Sequence, residues 1–262
     1  MVASFHPESS GSSFLLVNTP DVPFLVDSLK NILQRLPQRA IIISHPILTV
    51  QRKNGLLNLL TEKTDGDDQE SFMLIQLEGV RDLDTTTIET DIRRVFTIAQ
   101  EVGRQRKSLG SKLRDISSAT NKPSKKTFTE WLLNGNFICF GYAAVETSAS
   151  NSGSIKAHLA EDPVGWLPQS LIPNVKKSQK SLPLTDVAKK LFTRKKSLVV
   201  EVLEEESPLY QQDNLIYLGF RDSNKKDQKI EHLFVGLFSQ NSVNELAINI
   251  PPLRDKLFSA LE

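Results

Sequence analysis

The sequence predicts an α+β protein in two successive parts, each built from a β-sheet and a few helices. Short runs of β-branched or alternating apolar residues recur along the chain, and between them lie segments whose apolar residues repeat at helical spacing. The chain has 262 residues, of which 39% are hydrophobic, so it can bury the cores of two ordinary domains. Strands that are grouped with few helices between them are typical of α+β folds.

The first part is predicted to begin after a serine-rich stretch, 1–13, which we expect to be a flexible tail. Residues 14–17 form a short apolar strand, and the turn after it carries Asp21 as the predicted N-cap of a helix. Pro37 ends this helix. Its apolar residues recur at helical spacing: Leu25, Leu29, Ile32, Leu33 and Leu36.

Several strands and a long helix complete the first part. The predicted strands lie at 39–51, 56–60 and 72–77. The long helix is predicted to be capped by Asp84 and to bend or break at Gly103 and Gly110. The order strand, helix, strands, helix resembles a ferredoxin-like α/β sandwich, in which helices cover one face of an antiparallel sheet. The first domain is therefore predicted to cover residues 14–120.

The second domain is predicted to cover residues 121–250, after a polar linker around Pro123. The run 137–145 is apolar on both alternations, which indicates a central strand covered on both faces. Further strands are predicted at 198–203, 215–220 and 232–238, and the last two form a hairpin. Residues 251–262 begin another helix, whose uncapped end indicates that the natural polypeptide continues.

Charge and composition narrow the classes of function. The chain has 32 basic and 31 acidic side chains, a net charge of +1, which argues against a dedicated nucleic-acid binder. Neither a secretory signal nor an apolar run of membrane-spanning length is found. The single cysteine, Cys139, lies in an apolar run and is expected to be a buried, reduced thiol in a cytoplasmic protein.

The sequence contains no complete catalytic motif. The glycine patterns of dinucleotide and nucleoside triphosphate sites and the nucleophile elbow of hydrolases are absent, so no cofactor or catalytic residue is predicted in this segment. The four histidines stand far apart, and we interpret His45 as a structural residue at a strand bend. The acidic loop 65–68 lacks the spacing of a calcium loop, and the basic stretch 176–196 is interpreted as a solvated surface.

The turn from residue 18 to residue 24 is the candidate small-ligand site. Here a strand leads into the start of a helix, whose unpaired backbone N–H groups and positive dipole end attract carboxylates. The residues predicted to form the site are Asn18, Asp21, Val22 and Phe24. An ordinary strand-to-helix connection has the same local features, so a purely structural role is the alternative.

Blocks of residues along the chain resemble the N-terminal region of the large bacterial NAD-specific glutamate dehydrogenases. The first blocks are PFLVDSLKNIL from Pro23 and SHPILTVQRKNG from Ser44. Later blocks follow in the order of the family: FTEWLLNGNFICFGY from Phe128, LIYLGFR from Leu215 with EHLFVGLFSQ from Glu231, and IPPLRDK from Ile250. The colinear order over nearly the whole chain is specific, and the match is loosest over 155–196.

The resemblance implies a non-catalytic segment that regulates or assembles an NAD-dependent glutamate dehydrogenase. In that family an ACT-like domain is followed by a PAS-like domain, and a downstream catalytic domain handles NAD and glutamate. The implied partners are the other domains and subunits of the parent enzyme, which is expected to be a homo-oligomer, and a small amino-acid effector. Binding to nucleic acid or to a membrane is not expected. The alternative is a free-standing amino-acid sensor with the same ACT-like order of elements.

The sequence departs from the ACT pattern at one position of the candidate site. ACT domains that bind amino acids commonly carry D-x-P-G after the first strand, where the glycine lets the ligand approach the helix start. The matching residues here run from Asp21 to Phe24, so a phenylalanine ring replaces the glycine. Packing against another ACT-like domain is an equally good use of this surface.

Overall fold

The structure is a computed structural model that describes residues 1–5, 7, 11–36, 39–53, 56–59, 68–78, 86–149, 155–173, 181–194, 196–223 and 229–254. The chain divides into two compact units, Met1–Gly103 with Pro208–Gln212, and Arg104–Ser207 with Asp213–Glu262. The predicted mixed α/β composition with antiparallel sheets is confirmed. The division between the units falls at Gly103 rather than at the predicted residue 120, and the assignment of domains stays a prediction.

The first unit contains one antiparallel sheet and two helical segments. The strands are β1 Val2–Phe5, β2 Ser12–Pro20, β3 Ala40–Ser44, β4 Ile47–Lys53, β5 Leu56–Leu59 and β6 Asp68–Glu78. Their order in the sheet is β1-β2-β6-β4-β5, and β3 also pairs with β6. The helices are α1, Leu25–Gln34, and α2, Thr86–Ala119, whose residues up to Gly103 belong to this unit.

The start of the chain forms an edge strand, so the expectation of a flexible tail was wrong for this segment. β1 pairs antiparallel with β2, the Val2 side chain is buried, and the rings of Phe5 and Phe14 stack with centroids 5.2 Å apart. A β-α-β-β-α-β unit normally takes its fourth strand from the chain after its second helix. Here the edge position beside β2 is filled from the chain start.

The core of the first unit follows the predicted periodicities. Alternate residues of β2 and β6 are buried, and so are one face of α1 and one stripe of α2, as expected for strands and helices of one folded unit. The buried residues include Leu15, Val17, Leu29, Met73, Ile75, Leu77, Ile88, Ile92, Val95, Phe96, Ala99 and Val102. The helix α2 is continuous through Gly103 and Gly110, because packing along its stripe outweighs the roughly 1 kcal/mol by which glycine disfavours a helix.

The second unit contains another antiparallel sheet, in the order β10-β11-β12-β7-β8, with β9 paired to β7. Its strands are β7 Phe137–Ala149, β8 Ile155–Leu159, β9 Val164–Gly165, β10 Leu198–Glu206, β11 Asn214–Ser223 and β12 Lys229–Phe238. Its helices, besides the end of α2, are α3 Pro123–Trp131, α4 Asp186–Phe192 and α5 Gln240–Val243. The turn of the β11–β12 hairpin lies outside the described residues.

The prediction of a central strand in the second unit is confirmed by β7. This strand lies between β12 and β8, and its residues from Phe140 to Val145 are buried on both alternations. The helix α3 continues into a single π-helical turn, Leu132–Asn136, which is ended by Gly135 with a φ of 86°, a conformation that glycine accepts without strain. The β7 strand and the helices α2 and α3 therefore surround a core rich in Phe, Tyr and Leu.

Candidate functional site

The predicted ligand residue Asn18 is engaged in the interior of the first unit. Its side-chain Nδ2 donates to Oε2 of Glu70 at 2.6 Å, and both residues are buried. The next residue, Thr19, accepts a hydrogen bond of 2.7 Å from Nε2 of Gln100 on α2. The end of β2 is thus tied by polar contacts to both β6 and α2.

Asp21 does not cap α1, and this prediction was wrong. The N-cap is Phe24, whose side chain offers no acceptor. The Asp21 carboxylate instead accepts a hydrogen bond of 2.6 Å from the hydroxyl of Ser71 on β6, whose register partner on β2 is Thr19, two residues before Asp21. Long-range pairing has therefore replaced the local capping contact.

Ser71 also contacts His45, but the group is structural. The Nε2 of His45 lies 3.2 Å from the Ser71 hydroxyl, at the bend between β3 and β4 where a structural histidine was predicted. Ser71 is fully buried and its hydroxyl donates its hydrogen bond to Asp21, so it lacks the access to substrate that a nucleophile needs. The interpretation of His45 as a structural residue agrees with this geometry.

Val22 and Phe24 are used for packing. Val22 lies against α2 at Gly103, where an added Cβ would be only 3.1 Å from the Val22 Cβ. Phe24 has a φ of 75°, in the left-handed region, and its ring meets Tyr210 edge-on with centroids 5.6 Å apart. Tyr210, in the segment Pro208–Gln212 of the same unit, has a φ of 67°. Two non-glycine residues in this costly conformation therefore face one another.

A second stripe of α1 holds the segment Pro208–Gln212, and sequence reasoning missed it. The hydroxyl of Ser28 accepts from the backbone N–H of Tyr210 at 3.2 Å, and Asn31 donates to the Tyr210 carbonyl at 3.0 Å. One turn later, 2.7 Å separates Nε of Arg35 from the terminal amide of Gln212. Phe24, Ser28, Asn31 and Arg35 are three or four residues apart, so they lie on one side of the helix. The polar residues at this spacing are the sequence signal that could have indicated the contact.

Replacing Phe24 tests whether the left-handed turn is held in solution. Phe24→Ala and Phe24→Gly both remove the ring contact with Tyr210, but alanine also pays for the positive φ, so it should destabilise the chain by about 1 kcal/mol more than glycine. Urea unfolding of both variants measures the difference. At Phe14, a β2 residue without a positive φ, the order should reverse, and alanine proving as stable as glycine at Phe24 would contradict the prediction.

A cavity lies between the first strands and α2 of the first unit, and we call it the strand–helix pocket. Its volume is about 290 Å³. Its lining residues are Met1, Val2, Val17, Asn18, Thr19, Arg93, Phe96, Thr97 and Gln100. Of the four predicted ligand residues, the structure brings only Asn18 to this pocket, whereas Asp21, Val22 and Phe24 are absent from its lining.

The second unit holds a polar network around Tyr142. The Tyr142 hydroxyl donates to Oε1 of Glu161 at 2.7 Å, lies 2.9 Å from Nδ1 of His232, and its ring lies under the Lys112 ammonium. Lys112 also pairs with Oε2 of Glu161. Burial, followed by the hydrogen bond and charge of Glu161, raises the pKa of Tyr142, so its hydroxyl stays a neutral donor.

Glu161 is held in its ionised form by this network. Partial burial alone would raise the pKa of Glu161, but the hydrogen bonds from Lys112 and Tyr142 and the charges of Lys112 and His232 outweigh it and lower the pKa below its ordinary value. The carboxylate therefore favours the folded state at neutral pH, where both its partners donate to it.

The Glu161 network should weaken in acid. Because the folded pKa is lowered, its stabilising contribution is complete above the unfolded pKa of about 4.3 and is lost as the pH falls through the folded value. Wild type should therefore exceed Glu161→Gln in melting temperature at pH 7, and the difference should shrink below about pH 4. Calorimetric scans across this range measure it, and Glu204→Gln, an exposed glutamate on β10, is the control. A constant difference would contradict the assignment.

A buried ion pair lies on the hairpin of the second unit. Nε of Arg221 on β11 donates to Oε2 of Glu231 on β12 at 2.5 Å, with exposed side-chain fractions of 9% and 2%. The Tyr217 hydroxyl donates to the same carboxylate, and burial followed by the Glu231 charge raises the pKa of Tyr217. Arg221 Nη2 also donates to the Leu191 carbonyl at 2.6 Å. These contacts fix β11, β12 and α4 together.

Other predicted features have ordinary surroundings. Cys139 is half-buried, and desolvation raises the pKa of its thiol to about 12, so it remains an unreactive thiol. In the basic stretch, Lys189 pairs with Asp186 at 2.9 Å. Residues 65–67 of the acidic loop and Lys176, Lys177, Lys180 and Lys195 lie outside the described residues.

No cluster of His, Cys, Asp or Glu side chains in the described ranges could hold a metal ion. None of the helices within these ranges is both long and apolar enough to cross a membrane.

Comparison with known proteins connects the chain to one enzyme family. Residues 4–92 match the family model described as the glutamate dehydrogenase ACT1 domain. A curated NAD-specific glutamate dehydrogenase of Pseudomonas aeruginosa is 24% identical over 254 residues. This alignment covers 91% of the chain but only 16% of the length of the relative. The predicted likeness of the chain to the NAD-specific glutamate dehydrogenase family is thereby confirmed.

Proposed function

We propose that the chain is a non-catalytic regulatory and assembly segment of an NAD-dependent glutamate dehydrogenase. The observation that carries the proposal is the match of 91% of the chain to only 16% of an enzyme of that name. The greater part of such an enzyme then remains to bind NAD and to convert L-glutamate to 2-oxoglutarate by oxidative deamination. Neither NAD nor another cofactor is assigned to this segment.

The proposal assigns a different domain type to each part of the chain. The ACT1 match supports an ACT-like domain at the start. For the second part we propose a PAS-like domain. This is supported by an antiparallel sheet whose central strand, β7, is covered on both faces, with helices α3 and α4 from the same unit.

Exposed apolar side chains support a role in assembly. Val243, Leu246, Ile248 and Leu253 are all exposed near the end of the described chain. Val200 and Val202 are exposed on β10, which lies at the edge of its sheet. Surfaces of this kind are suited to contacts with other domains or subunits. We therefore propose a homo-oligomeric parent enzyme, and the single unreactive thiol supports a cytoplasmic location.

A second candidate function is a free-standing sensor that binds an amino acid. The strand–helix pocket favours it, because a cavity with polar lining lies within the ACT-type unit. The two functions differ in the coding sequence expected downstream of residue 262. A stop codon there would favour the sensor, whereas a continuous reading frame that encodes a nucleotide-binding domain would favour the dehydrogenase segment.

The proposal is tested with the protein encoded by the complete reading frame. NAD reduction with L-glutamate and the oligomeric state in sedimentation are measured for the complete protein, the present chain and the remainder. We expect the present chain to be inactive and its removal to change the oligomeric state or the glutamate response of the remainder. Glutamate oxidation by the present chain itself would refute the proposal.

A further inference from the structure

The strand–helix pocket has a lining suited to an anion. It combines one guanidinium, that of Arg93, with the uncharged polar side chains of Asn18, Thr19, Thr97 and Gln100. Among the residues that form its wall, all in the described part of the chain, none carries a carboxylate. A concave surface with a fixed cation and no acid attracts negative charge.

Arg93 is held in place at this wall. Its Nη2 donates to the Val2 carbonyl at 2.7 Å, and the same nitrogen lies 3.7 Å from the Glu89 carboxylate. A guanidinium has several N–H donors in a planar fork, so it can keep these contacts and still donate to a carboxylate. The β1 strand, which occupies the sheet edge, is what brings a backbone acceptor to Arg93.

The remaining wall sets the size of the ligand. The cavity of about 290 Å³ lies at the lower end of ligand-pocket volumes, which start near about 300 Å³, so only a small molecule fits. Val17 is fully buried, whereas Val2 and Phe96 each keep a small exposed fraction and are otherwise packed in the core, so these two side chains form a rigid apolar surface. A short carbon chain can lie against this surface while its charged end reaches Arg93.

We propose that the strand–helix pocket binds a small organic carboxylate, with its carboxylate group on Arg93 and its carbon chain against Val2 and Phe96. This site differs from the predicted turn, of which it retains only Asn18. The inference rests on the proposed function only in treating the ligand as an effector. Binding is measured on the present chain. If no carboxylate binds, this inference is refuted, whereas the proposed function is unaffected.

Calorimetric titration of the complete 262-residue chain provides the first test. The probes are acetate, propionate, succinate and L-glutamate, with propionamide as the uncharged match of propionate and sulfate as an inorganic anion. We expect at least one carboxylate to bind and propionamide to be silent. Sulfate binding as tightly as every carboxylate would overturn the proposal, and so would silence of all four carboxylates at millimolar concentrations.

Paired variants on α2 locate the site. Arg93→Gln should lower the affinity for the carboxylate ligand at least about tenfold, the loss expected when a charge-assisted hydrogen bond is removed. Arg94→Gln is the matched control, since Arg94 is exposed to a similar extent as Arg93 and likewise pairs with a carboxylate on α2, that of Asp91, but is absent from the lining. Equal affinity of both variants would overturn the role of Arg93.

A second pair keeps the test decisive if Arg93→Gln does not fold. Thr97 and Thr90 are both exposed, and each donates its hydroxyl to the carbonyl four residues earlier, but only Thr97 lines the pocket. Thr97→Trp should fill the cavity and abolish binding, whereas Thr90→Trp should bind as the wild type does. Unchanged binding by Thr97→Trp would place the ligand elsewhere and refute the proposal.

Discussion

Replacing Glu231 with alanine is expected to lower the free energy of unfolding by about 3–5 kcal/mol, the cost of leaving a buried charge without its partner. Arg221 would keep its place under α4, where its Nη2 donates to the Leu191 carbonyl, but its Nε would lose the carboxylate 2.5 Å away. The buried hydroxyl of Tyr217 would lose the same acceptor. Urea unfolding followed by circular dichroism measures the effect.

An exposed pair in the same unit provides the matched control. Arg194 and Glu201 also form an Arg–Glu contact, at 3.0 Å, but with 44% and 35% of their side chains exposed. Because solvent screens such a pair, Glu201→Ala should cost less than about 1 kcal/mol. Similar losses for Glu231→Ala and Glu201→Ala would show that the Glu231 site is hydrated in solution, contrary to the structure.

A double variant separates the charge from the packing. In Arg221→Met/Glu231→Leu both charges are replaced by apolar side chains, so no uncompensated charge remains. We expect this variant to recover much of the stability lost by Glu231→Ala. Failure to recover it would indicate that the contacts to Tyr217 and Leu191, rather than the ion pair, hold the hairpin.

Regular elements with strong periodicity were predictable from the sequence. The stripe from Ile88 to Val102 is buried along one face of α2, and the doubly apolar run of β7 is buried on both faces. In both cases the pattern extends over many residues, so side-chain burial alone specifies the element. β1 has only four residues, too few for a periodic pattern, and its role became visible only through pairing with β2.

The candidate site was less predictable, because its contacts join distant parts of the chain. Asp21 is a residue type typical of an N-cap, but its carboxylate accepts a hydrogen bond from Ser71, fifty positions later in the sequence, instead of from the helix start. The polar stripe of α1 that meets Tyr210 reads as a solvated face, since no local rule links Ser28 to residue 210. The same holds for Arg93, an exposed base on α2 whose contact with the Val2 carbonyl, ninety-one positions earlier, no local rule predicts.

Replacing Gly141 with alanine is the second large effect that we expect, with a loss of about 3 kcal/mol, at the upper end of the usual cost of overpacking. The added Cβ would lie 2.0 Å from the Trp166 carbonyl oxygen and 2.8 Å from Cδ2 of Leu167. The backbone oxygen is hard to displace, because β9 is paired to β7 there and the Trp166 N–H donates to the Phe140 carbonyl at 2.7 Å.

Gly110 gives the control of opposite sign for this substitution. It lies within α2, and an added Cβ would meet only the flexible end of Arg114, at 3.5 Å. Gly110→Ala should therefore stabilise the chain by about 0.5–1 kcal/mol, since alanine is the better helix former. Thermal unfolding of Gly141→Ala and Gly110→Ala compares the two effects. A lower melting temperature for the first shows that glycine is needed for close backbone approach, and a higher one for the second shows the gain in helix propensity. If Gly141→Ala melted at the wild-type temperature, the contact between β7 and β9 would not exist in solution as described.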